Sequence, residues 1–194
     1  MVTPNNPSNE TRPLADSLVH PLERFYARSG TQLPPLDRID GEDLPAPYRT
    51  LLVHRNDMTS TLENFHGQSV YLRVLGREQR GDDYYREVVL CLEGSDKPVE
   101  FGAIKIDLSR FTEKARNEIL TEHWPLGHIL REYRIPYTSN PKAFLRVASD
   151  GLINSVLQLS GAHLLYGRRN TLAALSGASL AEIVEIVPPI SRGV

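Results

Sequence analysis

Alternation of apolar and polar residues predicts three consecutive strands in the middle of the chain. Residues 69–79, 83–92 and 99–108 carry this pattern, and the turn sequences "RGDD" and "EGSDKP" separate them. Strands joined by such short turns pair in an antiparallel manner. We therefore expect these segments to form a three-stranded meander.

The C-terminal half of the chain predicts three further strands. They lie at 142–148, 162–175 and 179–189, and the short segment "SGA" joins the last two as a hairpin. The sequence thus predicts an antiparallel sheet of about six strands.

Apolar residues spaced three and four apart predict four or five short helices. In 14–30, Leu18, Leu22 and Phe25 share a face, and Gly30 ends the helix. Further helices are predicted within 51–68, 109–120, 122–133 and 150–160, with Asp57 or Thr59 as cap of the first and Ser109 as cap of the second. Short helices beside an antiparallel sheet indicate the α+β class.

Length and local composition predict one domain with an N-terminal extension. Residues 1–13 read as a disordered tail, 14–48 as a helix followed by a proline-rich extension, and 49–194 as the main domain. The extension could be a lid, an oligomer contact such as a homodimer interface, or inert.

Charge and hydropathy exclude several classes of partner. The formal net charge is −2, which argues against nucleic acid and anionic membranes as partners. No apolar run approaches the roughly 20 residues that span a bilayer, and the polar N-terminus predicts no signal peptide. A cytoplasmic location is expected. The single cysteine, Cys91, lies in an apolar strand and is interpreted as a core residue.

Several motifs of cofactor chemistry are missing from the sequence. It contains no P-loop, Gly-rich dinucleotide turn, HExxH, CxxC or G-x-S-x-G motif, and its six histidines show no metal-ligand spacing. We therefore expect no cofactor, no metal and no covalent nucleophile.

An arginine lies in the middle of an apolar strand. In "DDYYREVVLCL" one strand face carries Tyr84, Arg86, Val88 and Leu90, and neither face is cleanly polar. The strand is thus expected to be covered on both sides. Arg86 either forms an internal salt bridge or reaches solvent, or it binds the carboxylate of a ligand bidentately.

A carboxylate shows the same anomaly in the last strand. Glu185 in "EIVEIVPP" has apolar neighbours, and Arg168 and Arg169 lie across the predicted hairpin. Adjacent strand residues point to opposite faces, so only one of these arginines is expected to point inward. Glu185 is either its salt-bridge partner or a functional group. Covered arginines and one covered carboxylate together suit a small anionic ligand that also presents a hydroxyl.

Four segments resemble the chorismate pyruvate-lyase family. They are "NDMTSTLE" at 56–63, "YYREVVLCLEG", "PLGHILREYRI" at 125–135 and "LLYGRRNTLAALSGASLAEIVEIVPP". They occur in the family's order and span about residues 50–189. The ending "LREYRI" is more similar to the actinobacterial and archaeal branch, which makes 4-hydroxybenzoate.

The resemblance implies a cofactor-independent lyase that converts chorismate to 4-hydroxybenzoate and pyruvate in a closed internal site. Arg86 would bind a substrate carboxylate, and Glu185 would assist proton transfer beside the ring hydroxyl. The other substrate-binding residues it implies are Met58, Thr59, Leu126, Gly127 and Arg168. Some relatives carry an arginine where this chain has Ile104 or Lys105, so Lys105 is a candidate for a second anion contact.

Two alternatives remain open. The first is a non-catalytic binder of small carboxylates with the same fold, similar to the effector-binding domains of some GntR-type transcription regulators. The second is a carrier of apolar ligands in which the charges are only structural. The second alternative predicts a pocket that Arg86 does not line.

Overall fold

The predicted α+β class with an antiparallel sheet is confirmed by the computed structural model, which describes residues 17–190. The strands are β1 (Leu36–Ile39), β2 (Val70–Arg80), β3 (Asp83–Leu92), β4 (Pro98–Asp107), β5 (Thr138–Ala148), β6 (Leu164–Ala173) and β7 (Ser179–Val187). The helices are α1 (Leu22–Ser29), α2 (Tyr48–Leu52), α3 (Met58–His66), α4 (Glu113–Thr121), α5 (Leu126–Glu132) and α6 (Gly151–Leu157). The predicted tail at 1–13 lies outside the described residues.

The seven strands form one sheet in the order β1-β5-β6-β7-β4-β3-β2, and every neighbouring pair is antiparallel. The strand that the sequence pattern missed is β1, a four-residue edge strand within the proline-rich extension. It is too short to show alternation, and its pairing with β5 defines it. β5 begins four residues earlier than predicted, with a register shift between Pro141 and Ala143. Proline donates no ladder hydrogen bond, so such an irregularity is expected there.

One face of the sheet carries the main hydrophobic core. Val89, Phe101 and Val184 point to this face and pack with residues of α1 and α6. Cys91 is fully buried in the same cluster, as the sequence predicted. Buried polar groups such as His20 and Glu87 also lie on this face, whereas Arg86 and Glu185 lie on the opposite face.

The opposite face carries two separate apolar clusters. One lies beneath α4 and α5 and includes Tyr84 and Ile104, and the other lies beneath α2 and α3 and includes Leu90 and Val187. β3 is buried along nearly its whole length, which confirms that both of its faces are covered. The space between the two clusters holds the polar residues described below.

One predicted helix cap is wrong. Ser109 lies in a 3-10 turn, Leu108–Arg110, and its backbone N–H and hydroxyl both donate to Asp107. Helix α4 starts later, and its cap is Thr112, whose hydroxyl accepts from the Ala115 N–H. The aspartate caps the tighter turn first, so the α-helix begins only at the next capping residue. Among residues 17–190 the longest helices have nine residues, and none could cross a bilayer.

Candidate functional site

A cavity that is partly open to solvent lies between the two apolar clusters and encloses about 480 Å³ of empty space, the open part included. Its apolar walls include Leu72, Val88, Ile104 and Leu172, which suit a flat apolar ring. The cavity also brings together residues from distant parts of the sequence that were named as site residues: Met58, Thr59, Arg86, Leu126, Gly127 and Glu185.

Arg86 is buried in the cavity wall without a hydrogen-bonding partner. Its side chain is fully enclosed, and neither Nε nor Nη1 has a partner among the described residues. Burial lowers the pKa of Arg86 to about 10, although Tyr84 and Glu122 act in the opposite direction. The guanidinium therefore stays charged at neutral pH. An uncompensated buried charge is costly, so this arginine is suited to a ligand that brings an anion.

Arg168 is the inward-facing member of the arginine pair. It is completely buried, its Nε donates to Glu185 Oε2, and Nη1 and Nη2 reach the carbonyls of Leu52 and Asn56 at 3.3 Å. Arg169 lies on the other face, 3.5 Å from Glu182. Arg168 does not line the cavity; it stands behind Glu185 and ties it to the loop before α3.

The position of Glu185 is compatible with both interpretations that the sequence left open, a salt-bridge partner and a functional group. It forms the internal salt bridge with Arg168, and it also lines the cavity while remaining almost fully buried. The contact with Arg168 fixes the position of the carboxylate. A carboxylate held in this way can accept a hydrogen bond or a proton from a ligand.

Glu100 is a cavity residue that the sequence analysis missed. It is 4% exposed, and its Oε2 has no hydrogen-bonding partner among the described residues. Burial and the negative charge of Glu185 raise the pKa of Glu100 well above its ordinary value, and Arg168 only partly opposes this. The sequence offered only a partial signal: Glu100 shares a strand face with Gly102 and Ile104 in "VEFGAIKIDL", a pattern that also fits a solvent-facing position.

The strand register sets the order of the polar groups. Arg86 pairs with Ile104 on β4, Glu185 pairs with Gly102, and Glu100 follows two residues further along β4. Same-face residues are spaced about 6.6 Å apart along a strand. Arg86 therefore lies toward one end of the cavity floor, and Glu185 and Glu100 lie toward the other.

The first turns of two helices contribute to the opposite wall. Met58 and Thr59 begin α3, and Leu126 and Gly127 begin α5. Backbone N–H groups in a first helical turn have no intrahelical acceptor and can bind polar ligand atoms. Asp57 caps α3 by accepting from the Ser60 N–H at 2.8 Å, and it also accepts from the Tyr137 hydroxyl at 2.8 Å.

Gly127 sets how closely the two helix starts approach each other. A Cβ at this position would lie 2.4 Å from Asp57 Oδ1 and 2.8 Å from Thr59 Oγ1. The hydrogen bonds of Asp57 to Ser60 and Tyr137 prevent it from moving aside.

We predict that Gly127→Ala pushes α5 away from α3 and opens the cavity wall. The free energy of unfolding should fall by about 1–3 kcal/mol, the range for overpacking. Thermal and denaturant unfolding measure this effect. Gly151→Ala is the matched control, because the Cβ of a residue 151 alanine meets nothing within 4 Å at the start of another short helix. Equal stabilities for the two variants would contradict the packing argument.

Lys105 does not supply the second anion contact. It lies on the face of β4 opposite to Ile104, where its Nζ is 3.0 Å from Asp83 and faces the ring of Tyr85. Strand alternation places it outside the cavity. Within residues 17–190, no group of three or more His, Cys, Asp or Glu side chains is arranged to hold a metal ion.

Of the comparisons with known proteins, the one with solved structures finds matches. No protein-family model and no curated protein sequence matches the chain. The structure of PhnF from Mycobacterium smegmatis matches with a TM-score of 0.52 and 11% identity, covering 85% of this chain and 92% of that one. Its effector domain alone matches with a TM-score of 0.51 and 10% identity, covering 71% and 96%.

A third solved structure is a transcriptional regulator of the GntR family from Enterococcus faecalis V583. It matches with a TM-score of 0.44 and 10% identity, covering 63% of this chain and 99% of that one. Identities this low show the fold alone. Together with the two PhnF matches, whose TM-scores exceed 0.5, the architecture shows that the chain has the chorismate lyase-like fold, which effector domains of GntR-family regulators share.

Proposed function

We propose that the chain binds a small hydroxylated ring carboxylate in the cavity and, as a lyase, removes pyruvate from chorismate to give 4-hydroxybenzoate. The observation that carries the binding part is Arg86, a fully buried guanidinium in the cavity wall whose Nε and Nη1 have no partner within residues 17–190. A ligand carboxylate would satisfy both nitrogens in the bidentate geometry that arginine favours.

The rest of the cavity supports a ligand with an apolar body and a polar far end. Ile104 is paired with Arg86, and Val88 follows Arg86 on the same face of β3, so both would contact the ring. Glu185 would accept a hydrogen bond from the ring hydroxyl. The first turns of α3 and α5 would supply N–H groups to remaining ligand oxygens.

The lyase part rests on the chemistry of these groups together with the resemblance in sequence. Loss of the enolpyruvyl group and a ring proton makes the ring of chorismate aromatic, so the reaction has an intrinsic driving force. The protein would need to orient the substrate, accept the ring proton at Glu185 and exclude water. No step of this kind requires a cofactor.

A non-catalytic effector-binding function is the second candidate. The likeness in fold to the effector domain of PhnF favours it. Glu185 favours catalysis, because a protein that only binds an anion gains little from a carboxyl group beside that anion. The carrier of apolar ligands is disfavoured, since Arg86 and Glu100 line the cavity.

Incubation with chorismate separates the two candidates. We predict stoichiometric release of pyruvate and 4-hydroxybenzoate, followed by a coupled pyruvate assay and by absorbance of the aromatic product. Calorimetry with 4-hydroxybenzoate on the same preparation reports binding. Binding without turnover would leave only the effector-like function, and the absence of both would refute the proposal.

A further inference from the structure

Glu100 and Glu185 approach the same part of the cavity from neighbouring strands. Glu185 pairs with Gly102, and Glu100 lies two residues along β4 on the same face. They are thus diagonal cross-strand neighbours, whose side chains are within reach of one another. Gly102 has no side chain to stand between them.

The two carboxyl groups differ in their surroundings. Glu185 is paired with Arg168, whereas Oε2 of the 96%-buried Glu100 is unpartnered among the described residues. Two adjacent buried carboxyl groups cannot easily both ionise, and the one without a cation keeps its proton. A protonated carboxyl group is a hydrogen-bond donor, whereas a carboxylate only accepts hydrogen bonds.

Resting on the proposed function, we propose that Glu100 is a neutral acid that donates a hydrogen bond to a second ligand oxygen, on the ring carbon next to the one whose hydroxyl faces Glu185. The preferred ligands are therefore ring carboxylates with oxygens on two adjacent carbons. The second ligand oxygen must accept a hydrogen bond, because Glu100 donates one, whereas Glu185 accepts one from the ring hydroxyl.

In chorismate the oxygen on that adjacent carbon belongs to the enol ether whose carbon–oxygen bond breaks. Glu185 takes the ring proton, and the electron pair of that carbon–hydrogen bond forms the new ring double bond. The pair of the breaking bond goes to the ether oxygen, which receives the proton of Glu100 and leaves as the enol of pyruvate. The proton then passes from Glu185 to Glu100, and the starting state returns.

Binding of two benzoates tests the hydrogen bond without any turnover. We expect the wild-type protein to bind 3,4-dihydroxybenzoate about fivefold more tightly than 4-hydroxybenzoate, the effect of one buried hydrogen bond. Glu100→Leu removes the donor and should abolish this preference. Glu100→Gln keeps an N–H donor and should retain it. Calorimetry measures all six affinities.

The same variants separate hydrogen bonding from proton donation. An amide cannot release a proton, so Glu100→Gln should lower chorismate turnover about 100-fold or more while keeping the dihydroxybenzoate preference. Both results together support the proposal.

The other outcomes of these measurements contradict the inference, the proposed function or both. Equal affinities in the wild type, or a preference that survives in Glu100→Leu, overturns the inference and leaves the proposed function standing. Unchanged turnover in Glu100→Gln overturns the role in proton transfer. A wild-type protein that binds neither benzoate overturns both proposals.

Stability measurements show whether Glu100→Leu is folded and the acid is neutral. A raised pKa in the folded state means that wild-type stability falls as pH rises above 4.5, the ordinary value, because ionisation is favoured in the unfolded chain. The charges around Glu100 are those of Glu185, Arg168 and Asp57, and all three remain in the variant. The melting temperature of Glu100→Leu minus that of the wild type should thus increase as pH rises from 4.5. A difference in melting temperature between the two proteins that does not change with pH would overturn the assignment of a neutral acid.

Discussion

Arg86→Met yields a folded protein that binds 4-hydroxybenzoate about 100-fold more weakly or worse. Methionine fills much of the space of the arginine stem but offers no positive charge. Removing one partner of a buried, hydrogen-bonded charge pair costs about 2–5 kcal/mol, which corresponds to a Kd change of roughly 30-fold to more than 1000-fold. Calorimetry with 4-hydroxybenzoate gives the affinity.

The Arg86→Met protein should be at least as stable as the wild type, although it binds the ligand more weakly. Without ligand, Arg86 is a buried cation whose Nε and Nη1 find no partner in the part of the chain that the structure describes. Its replacement by an apolar side chain should therefore raise or preserve the melting temperature. Arg146→Met is the matched control, because Arg146 is 47% exposed and pairs with Asp37 at the other edge of the sheet. Retained affinity in Arg86→Met would remove this residue from the site.

Glu185→Gln should retain 4-hydroxybenzoate binding and lose chorismate turnover. The glutamine carbonyl can still accept from Arg168, so the shape of the wall is kept, but an amide cannot take the ring proton. General-base catalysis contributes about 100-fold to 10,000-fold in rate, and a loss of that size is expected in kcat. The pyruvate assay measures the rate, and calorimetry measures binding.

The variant should also be less stable than the wild type. Glutamine leaves the charge of Arg168 without its carboxylate in a fully buried position, at a cost of about 1–3 kcal/mol. Glu182→Gln is the matched control, since Glu182 lies on the same strand but on the other face, next to Arg169 and His20. Full turnover in Glu185→Gln would exclude the proton-transfer role.

Much of the secondary structure follows from local pattern. The strands around Arg86 and Glu185 have apolar residues in long runs bounded by turn residues, and their alternation and turn chemistry are local properties. Caps were less certain, because Ser109 and Thr112 are both good capping residues and only the competing turn at Asp107 decides between them.

Glu100 shows where local pattern is insufficient. In its own strand it is a polar residue among apolar ones, which is equally typical of a solvent-facing position at a sheet edge. Its burial depends on β3 and β7 flanking β4 on both sides and on the helices above it. Its unusual pKa depends on Glu185, which is 85 residues away in sequence.

The sequence by itself determined the fold class, most of the strands, and that one arginine and one glutamate lie within apolar strands. Only the tertiary structure decided that Arg168 points inward and neutralises Glu185, that Lys105 faces away, and that Glu100 joins the cavity. The physical reason is that a charge acquires its partner, its burial and its pKa from groups that are distant in sequence. Those contacts exist only once the strands have paired in register and the helices have closed over them.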